Sequence, residues 1–249
     1  MTLGHGTSGD GTPVTFLHGF TQTRASWLPV TTLLRGVSCT VVDAPGHGES
    51  PDGARTLWQC ADDVAGVMPA GVLVGYSMGA RIALHTAISH PGLVTGLVLV
   101  SGTAGIEDPL ERAARRASDE ALAARIENIG VPSFIDEWLS NPMFSGLDAE
   151  SAMRDQRLAN TARGLADSLR FAGTGTQEDL WPGLAGLAMP VLIVTGARDE
   201  KFTQIGARMH GLVHGSELHT VTSAGHTVHL EATEEFVRVL GDWLVRRRS

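Results

Sequence analysis

Apolar positions along the chain fall into two rhythms. Short continuous apolar runs appear at Val14-Thr15-Phe16-Leu17, Thr40-Val41-Val42, Val72-Leu73-Val74, Leu97-Val98-Leu99-Val100 and Val191-Leu192-Ile193-Val194. They are too short for helices and read as strands buried on both faces. The pattern predicts strands near 13–17, 38–43, 71–76, 94–101, 190–195 and 217–222. Between them apolar residues recur at helical spacing, near 24–35, 56–68, 78–90, 203–213 and 231–247. That alternation predicts an α/β chain with a mostly parallel central sheet and flanking helices. Only about a dozen residues precede the first strong strand, so any extra N-terminal strand must be very short. The rhythm breaks after Gly102. From 104 to 181 no strand is legible; helical periodicity covers 107–128, with further helices near 132–140, 147–158 and 160–172. A helical insertion inside such a chain reads as a cap over a site. The expected organisation is a core of 1–102 and 182–249 with a helical cap of 103–181.

Composition narrows the function classes. The 249 residues, 43% of them hydrophobic, can bury one substantial core. A net charge of −8 argues against a nucleic-acid partner or an anionic membrane surface. No apolar run has the length of a membrane span. Met1-Thr2-Leu3-Gly4-His5-Gly6 lacks the charged and apolar regions of a secretory signal, so a cytoplasmic location is expected. Cys39 and Cys60 are too few for a disulfide framework and read as buried thiols. There is no C-x-x-C, no H-E-x-x-H and no G-x-G-x-x-G after a strand, so neither metal nor cofactor is expected. The only lysine is Lys201; every other basic residue is arginine.

The chemistry begins at Gly75-Tyr76-Ser77-Met78-Gly79-Ala80-Arg81, directly after the run Val72-Leu73-Val74. Strand, sharp turn and helix with serine at the apex is the nucleophile elbow, G-x-S-x-G. The glycines are required sterically, because side chains there would strike the neighbouring strand and helix. A serine hydroxyl is inert until a histidine takes its proton and a carboxylate fixes that histidine. Elbow proteins carry these groups in the order serine, acid, histidine. Asp199 follows the strand ending in Val194-Thr195-Gly196, and His226 follows Ala224-Gly225 after the strand at Leu218. Ser77, Asp199 and His226 are therefore the candidate triad. Glu200 and Asp43 compete with Asp199, and His229 competes with His226. His5, His85, His90, His210, His214 and His219 read as surface or helix residues. The backbone N–H groups of Phe20, after His18-Gly19, and of Met78 are the candidate oxyanion hole. Asp43-Ala44-Pro45-Gly46-His47-Gly48-Glu49-Ser50 reads as a structural turn.

These features resemble those of the α/β-hydrolase superfamily and predict the α/β-hydrolase fold for the chain. Within that superfamily it resembles the 2-succinyl-6-hydroxy-2,4-cyclohexadiene-1-carboxylate synthases of menaquinone biosynthesis. The resemblance rests on Gly75 to Arg81, on Gly196-Ala197-Arg198-Asp199-Glu200-Lys201-Phe202, and on Ala224-Gly225-His226-Thr227-Val228-His229-Leu230-Glu231. Glu111 to Arg116 and the stretch from Asp136-Glu137-Trp138 to Phe144 also resemble that family. The resemblance implies a lyase that removes a ring proton and expels pyruvate from 2-succinyl-5-enolpyruvyl-6-hydroxy-3-cyclohexene-1-carboxylate, with the serine as base. It also implies a small polycarboxylate substrate held by Arg81, Arg115 and Arg157, in a pocket lined by Tyr76, Trp138 and His18. Ser101-Gly102-Thr103-Ala104-Gly105-Ile106 departs from the Pro-Gly-Leu common at this point in the family. A carboxylesterase or carbon–carbon bond hydrolase on the same scaffold is the alternative, and a catalytically silent binding module is a more distant one. Nothing in the sequence fixes the oligomeric state.

Overall fold

The computed structural model describes residues 1–247. The strands are β1 (His5–Ser8), β2 (Thr12–Leu17), β3 (Val37–Val42), β4 (Gly71–Tyr76), β5 (Val94–Val100), β6 (Val191–Gly196) and β7 (Glu217–Val221). They form a seven-stranded sheet in the order β1-β3-β2-β4-β5-β6-β7. β1 pairs antiparallel with β3, His5 opposite Val42. The other pairs are parallel. The extra N-terminal strand is thus four residues long, at the antiparallel edge.

The helices are α1 (Leu28–Thr31), α2 (Leu57–Ala65), α3 (Met78–Ser89), α4 (Pro109–Leu139), α5 (Arg154–Arg157), α6 (Ala162–Ala172), α7 (Glu200–Leu212), α8 (Val228–Glu231) and α9 (Thr233–Val245). Alternate residues of each strand feed opposite faces of the sheet. Leu73, Leu97, Leu99 and Ile193 pack with Leu57 and Val64 of α2, Ile82 and Leu84 of α3 and Met209 of α7. Val72, Val74, Val98 and Val194 pack with Trp27, Val30 of α1, and Phe236, Leu240 and Trp243 of α9. Because the chain leaves β2 toward one face and β4 toward the other, a crevice opens at the carboxyl ends of these two strands, where open α/β sheets bind ligands.

Helices α4, α5 and α6 lie between β5 and β6. Ala123, Ile126, Phe134, Ile135, Leu165, Ala166 and Leu169 give this insertion an apolar cluster of its own. The two helices expected over 107–128 and 132–140 are present as the two halves of α4, which breaks at Gly130 (φ 77°, ψ 164°) just before Pro132. Two local expectations need correction. The helix expected over 147–158 shrinks to α5, because Asp148 and Ser151 trade side-chain hydrogen bonds with each other's backbone N–H, a competing local turn. The first expected helix is a 3-10 turn at Arg24–Trp27, capped by Thr23, before the short α1.

Candidate active site

Ser77 sits at the apex between β4 and α3 with φ 52° and ψ −108°, a region costly for a side-chain-bearing residue. Its neighbours allow the turn. A Cβ on Gly75 would overlap the Gly79 carbonyl, and one on Gly79 would overlap the Leu17 carbonyl. The Ser77 N–H is anchored on the Val100 carbonyl at 2.9 Å.

His226 Nε2 lies 3.0 Å from Ser77 Oγ, and His226 Nδ1 lies 2.6 Å from Asp199 Oδ2. Asp199 caps α7, its other oxygen accepting the Phe202 N–H at 3.2 Å. Glu200 instead faces outward, accepting from Gln204 at 3.3 Å. Asp43 is consumed by structure: it accepts the Arg24 backbone N–H at 2.7 Å and the Glu49 N–H at 3.0 Å, and pairs with the Arg24 guanidinium. His229, the rival histidine, is fully buried between Trp27 at 4.3 Å and Tyr76 at 4.5 Å. Neither of its ring nitrogens has a hydrogen-bond partner among the described residues, and burial pushes its pKa down to about 3. Of the histidines read as surface or helix residues, His85 is on α3 but buried, against Trp58.

Ser77 and His226 open onto a cavity of about 480 Å³. Phe20 and Met78 line it next to the serine. Among the described residues no hydrogen bond uses either backbone N–H, which leaves both free for an oxyanion. The Phe20 loop is set by Gln22, whose Oε1 accepts the Gly19 N–H at 3.0 Å. A Cβ on Gly19 would lie 2.5 Å from the Tyr76 ring, so only glycine lets the loop approach.

His18 differs from expectation. It is fully buried and off the cavity wall. Its Nε2 accepts the Ala44 N–H at 3.0 Å, so its proton sits on Nδ1, which donates to the Gly19 carbonyl at 2.8 Å. Burial lowers its pKa to about 4. His18 clips loops together and has no nitrogen left for a substrate.

The cavity wall is rich in arginine. Arg81 and Arg157 line it, and both are buried. Arg81 donates to the Ala172 carbonyl at 2.6 Å. Arg157 donates to the Ala152 carbonyl at 2.9 Å and to the Thr21 hydroxyl, while its buried Nη2 has no hydrogen-bond partner among the described residues. Neither has a carboxylate partner among the described residues. Burial lowers both guanidinium pKa values to about 10, with the positive Arg115 adding to the effect at Arg81. Both remain charged at neutral pH. Arg115 also lines the cavity, but its Nε is held by the buried Asp119 at 2.7 Å. Tyr76 donates to or accepts from Thr227 at 3.0 Å and lies 5.5 Å from the His226 ring. Trp138 serves two surfaces at once: it lines the cavity and stacks on Phe134 at 5.9 Å within the insertion.

Several site residues carried no assigned role in the sequence. Ser101 (φ 49°) donates to the His226 carbonyl at 2.8 Å. Phe202 meets the His226 ring edge-on at 4.6 Å. Gln22 and the cation–π pair of Arg208 over Trp181 also border the cavity. Phe202 stood in a motif already conspicuous; Ser101 stood only at the head of the stretch that lacks the family's Pro-Gly-Leu.

Residues 16–239 match the Alpha/beta hydrolase family. The chain is 35% identical, over 93% of its length and 89% of the relative's, to a Bacillus subtilis protein provisionally named 2-succinyl-6-hydroxy-2,4-cyclohexadiene-1-carboxylate synthase. It is 32% identical, over 92% of both chains, to the Serratia proteamaculans protein that carries this name. The solved structure of MenH from S. aureus superposes with a TM-score of 0.93 at 28% identity, covering all of both chains.

Proposed function

This chain belongs to the 2-succinyl-6-hydroxy-2,4-cyclohexadiene-1-carboxylate synthase family of the α/β-hydrolase superfamily, and we propose that it catalyses the elimination for which that family is named. It is a lyase rather than a hydrolase. Its substrate is 2-succinyl-5-enolpyruvyl-6-hydroxy-3-cyclohexene-1-carboxylate, and its products are pyruvate and the cyclohexadiene.

The substrate's structure dictates the steps. The ring C2–H is the acidic one, because it is α to the succinyl ketone and allylic to the C3–C4 double bond. Ser77 Oγ removes this proton while His226 Nε2 takes the hydroxyl proton, and Asp199 supports the resulting imidazolium. Charge develops on the ketone oxygen, where the Phe20 and Met78 N–H groups receive it. One such donor contributes about 3 kcal/mol to a barrier. The electron pair then moves to form C2=C3 and C4=C5, and the C5–O bond breaks. The departing enolpyruvate takes a proton, available from His226, and becomes pyruvate. Residues 103–181 act as the cap over this chemistry and 1–102 with 182–249 as the core that carries the triad.

One observation carries the choice of a polycarboxylate elimination over ester hydrolysis. Arg81 and Arg157 are buried charges facing the cavity, and among the described residues neither has a carboxylate within ion-pair distance; the field of Asp119, itself held by Arg115, offsets only part of the cost of burying Arg81. A buried unpaired charge is costly, so such a pair is best explained by an anionic ligand that completes it. Arg115, tethered by Asp119, supplies a third guanidinium to the same cavity. Planar guanidinium groups bind carboxylates with two prongs, which a lysine cannot do.

Replacing Arg81 with methionine tests this reading. Loss of a charged hydrogen bond costs about 1.5–3 kcal/mol, so kcat/KM for pyruvate release should fall roughly 10- to 150-fold. Cleavage of a neutral chromogenic ester by the same variant should change less than about threefold. Equal losses on both substrates would move the assignment to a hydrolase.

A further inference from the structure

The loop that carries His226 is held by a carboxylate the reaction does not use. Glu231 ends α8. Its Oε2 accepts the Gly225 N–H at 2.7 Å and its Oε1 accepts the Thr227 N–H at 2.8 Å. These are the N–H groups of the residues on either side of His226. The Thr227 N–H lies in the peptide that follows His226, whose carbonyl Ser101 also holds, and the Gly225 N–H lies one peptide further back, so Glu231 ties down the short loop from which the His226 side chain leaves the backbone. Asp199 sets the ring from its far end; Glu231 sets the point from which the ring starts.

A second contact reaches the same carboxylate from the helical insertion. A Cβ built on Gly146 would overlap Glu231 Oε2 and lie 2.6 Å from Cδ and 3.3 Å from Cγ. The backbone just after Phe144 therefore rests directly on Glu231. Phe144 itself lines the cavity and packs against Trp138 at 5.6 Å. One stretch of chain thus closes part of the cavity and lies on the group that holds the histidine.

We propose that Glu231 is a positioning residue for His226, and that the chain at Gly146, seated on its carboxylate, couples docking of the insertion to correct placement of the histidine. The proposal rests on the reading of Ser77 and His226 as the proton-transfer pair. Glu231 touches no reacting atom. Its effect falls on the Ser77–His226 distance and leaves the arginine side of the cavity untouched. Substrate binding is therefore preserved when Glu231 is altered, while the chemical step slows.

The test combines two readouts. Pyruvate release gives kcat and KM. Phosphonylation of Ser77 by a small neutral phosphonofluoridate reports the Ser–His pair without the arginines. Misplacing a catalytic group by about 1 Å costs about 100-fold. Glu231→Ala should lower both kcat and the labelling rate by about that factor, with KM within about threefold of wild type. Glu231→Gln, which keeps one acceptor oxygen, should fall between the two. Gly146→Ala should slow labelling in the wild-type background and add nothing in Glu231→Ala, the signature of coupled residues. Wild-type labelling and kcat in either Glu231 variant, or a loss confined to KM, would overturn the positioning role. Should Glu231→Ala fail to fold, Glu231→Gln decides alone. Equal effects of Gly146→Ala in both backgrounds would remove the coupling to the insertion. His226→Ala serves as the separate control: undiminished Ser77 labelling there would remove the proton-transfer pair itself, whatever Glu231 does.

Discussion

At the scale of single residues, what distinguishes this site is what its charged groups lack. Arg157 is 1% exposed, and one of its buried guanidinium nitrogens has no hydrogen-bond partner among the described residues. Arg157→Lys keeps the charge but loses the fork that reaches Thr21 and Ala152 together. It should therefore raise KM for the polycarboxylate substrate by about tenfold or more, measured by steady-state pyruvate release. A wild-type KM would detach Arg157 from substrate binding. His229 shows the opposite economy: it binds nothing through its nitrogens and fills the space between Trp27 and Tyr76. His229→Phe should leave stability at pH 7 unchanged within about 1.5 kcal/mol. It should also raise the melting temperature at pH 5, because it removes a group that must be neutral in the fold. The motif around His226 and His229 was plain in the sequence. Which histidine faced Ser77 was settled only by packing, as was the inward clip made by His18. A sequence does not say whether a histidine after a strand turns to the cavity or folds back on its own loop.

At the scale of elements, the strands and their following loops were legible because each is specified locally. A short apolar run followed by Gly, Ser or Asp gives strand and turn without help from elsewhere. Gly75 is the sharpest case. Gly75→Ala should prevent the elbow from forming, since its Cβ would lie 2.5 Å from the Gly79 carbonyl carbon. Soluble yield and far-UV circular dichroism report this, and a fully active Gly75→Ala protein would contradict it. Helix α9 is secured by Trp243, fully buried beneath the sheet, where Gly96 of β5 leaves room for the ring. Trp243→Ala should cost about 3–5 kcal/mol in urea unfolding. A loss below about 1 kcal/mol would mean the cavity collapses freely. The insertion was less legible. Its helical character and the break near Gly130 followed from periodicity, but the shortening to α5 depends on a local turn that competes with the helix. Arg157 lies on that four-residue helix, so its approach to Thr21 could not be read from spacing.

At the scale of the whole molecule, buried neutral histidines tie stability to pH. Burial lowers the pKa of His18 and His85 to about 4, and of His47 and His229 to about 3. Between these values and the unfolded value near 6.5, the unfolded chain binds more protons than the folded one. Stability from these groups is therefore present above the unfolded value near 6.5 and is lost as pH falls toward about 4 for His18 and His85 and toward about 3 for His47 and His229. Urea unfolding should give a free energy that declines steadily across this window; a flat profile would contradict it. Among the described residues no helix is long and apolar enough to cross a membrane. The chain carries a net charge of −8, yet two arginines of its cavity, Arg81 and Arg157, have no carboxylate within ion-pair distance among the described residues, a contrast suited to an anionic substrate. The proposed triad, oxyanion hole and substrate-binding arginines converge on one elimination. The most direct test is real-time pyruvate release from enzymatically generated 2-succinyl-5-enolpyruvyl-6-hydroxy-3-cyclohexene-1-carboxylate, with wild type and Ser77→Ala side by side. Rapid release by wild type, reduced to the spontaneous rate in Ser77→Ala, is the expected result. Wild-type release no faster than the spontaneous elimination, or undiminished release by Ser77→Ala, would contradict it.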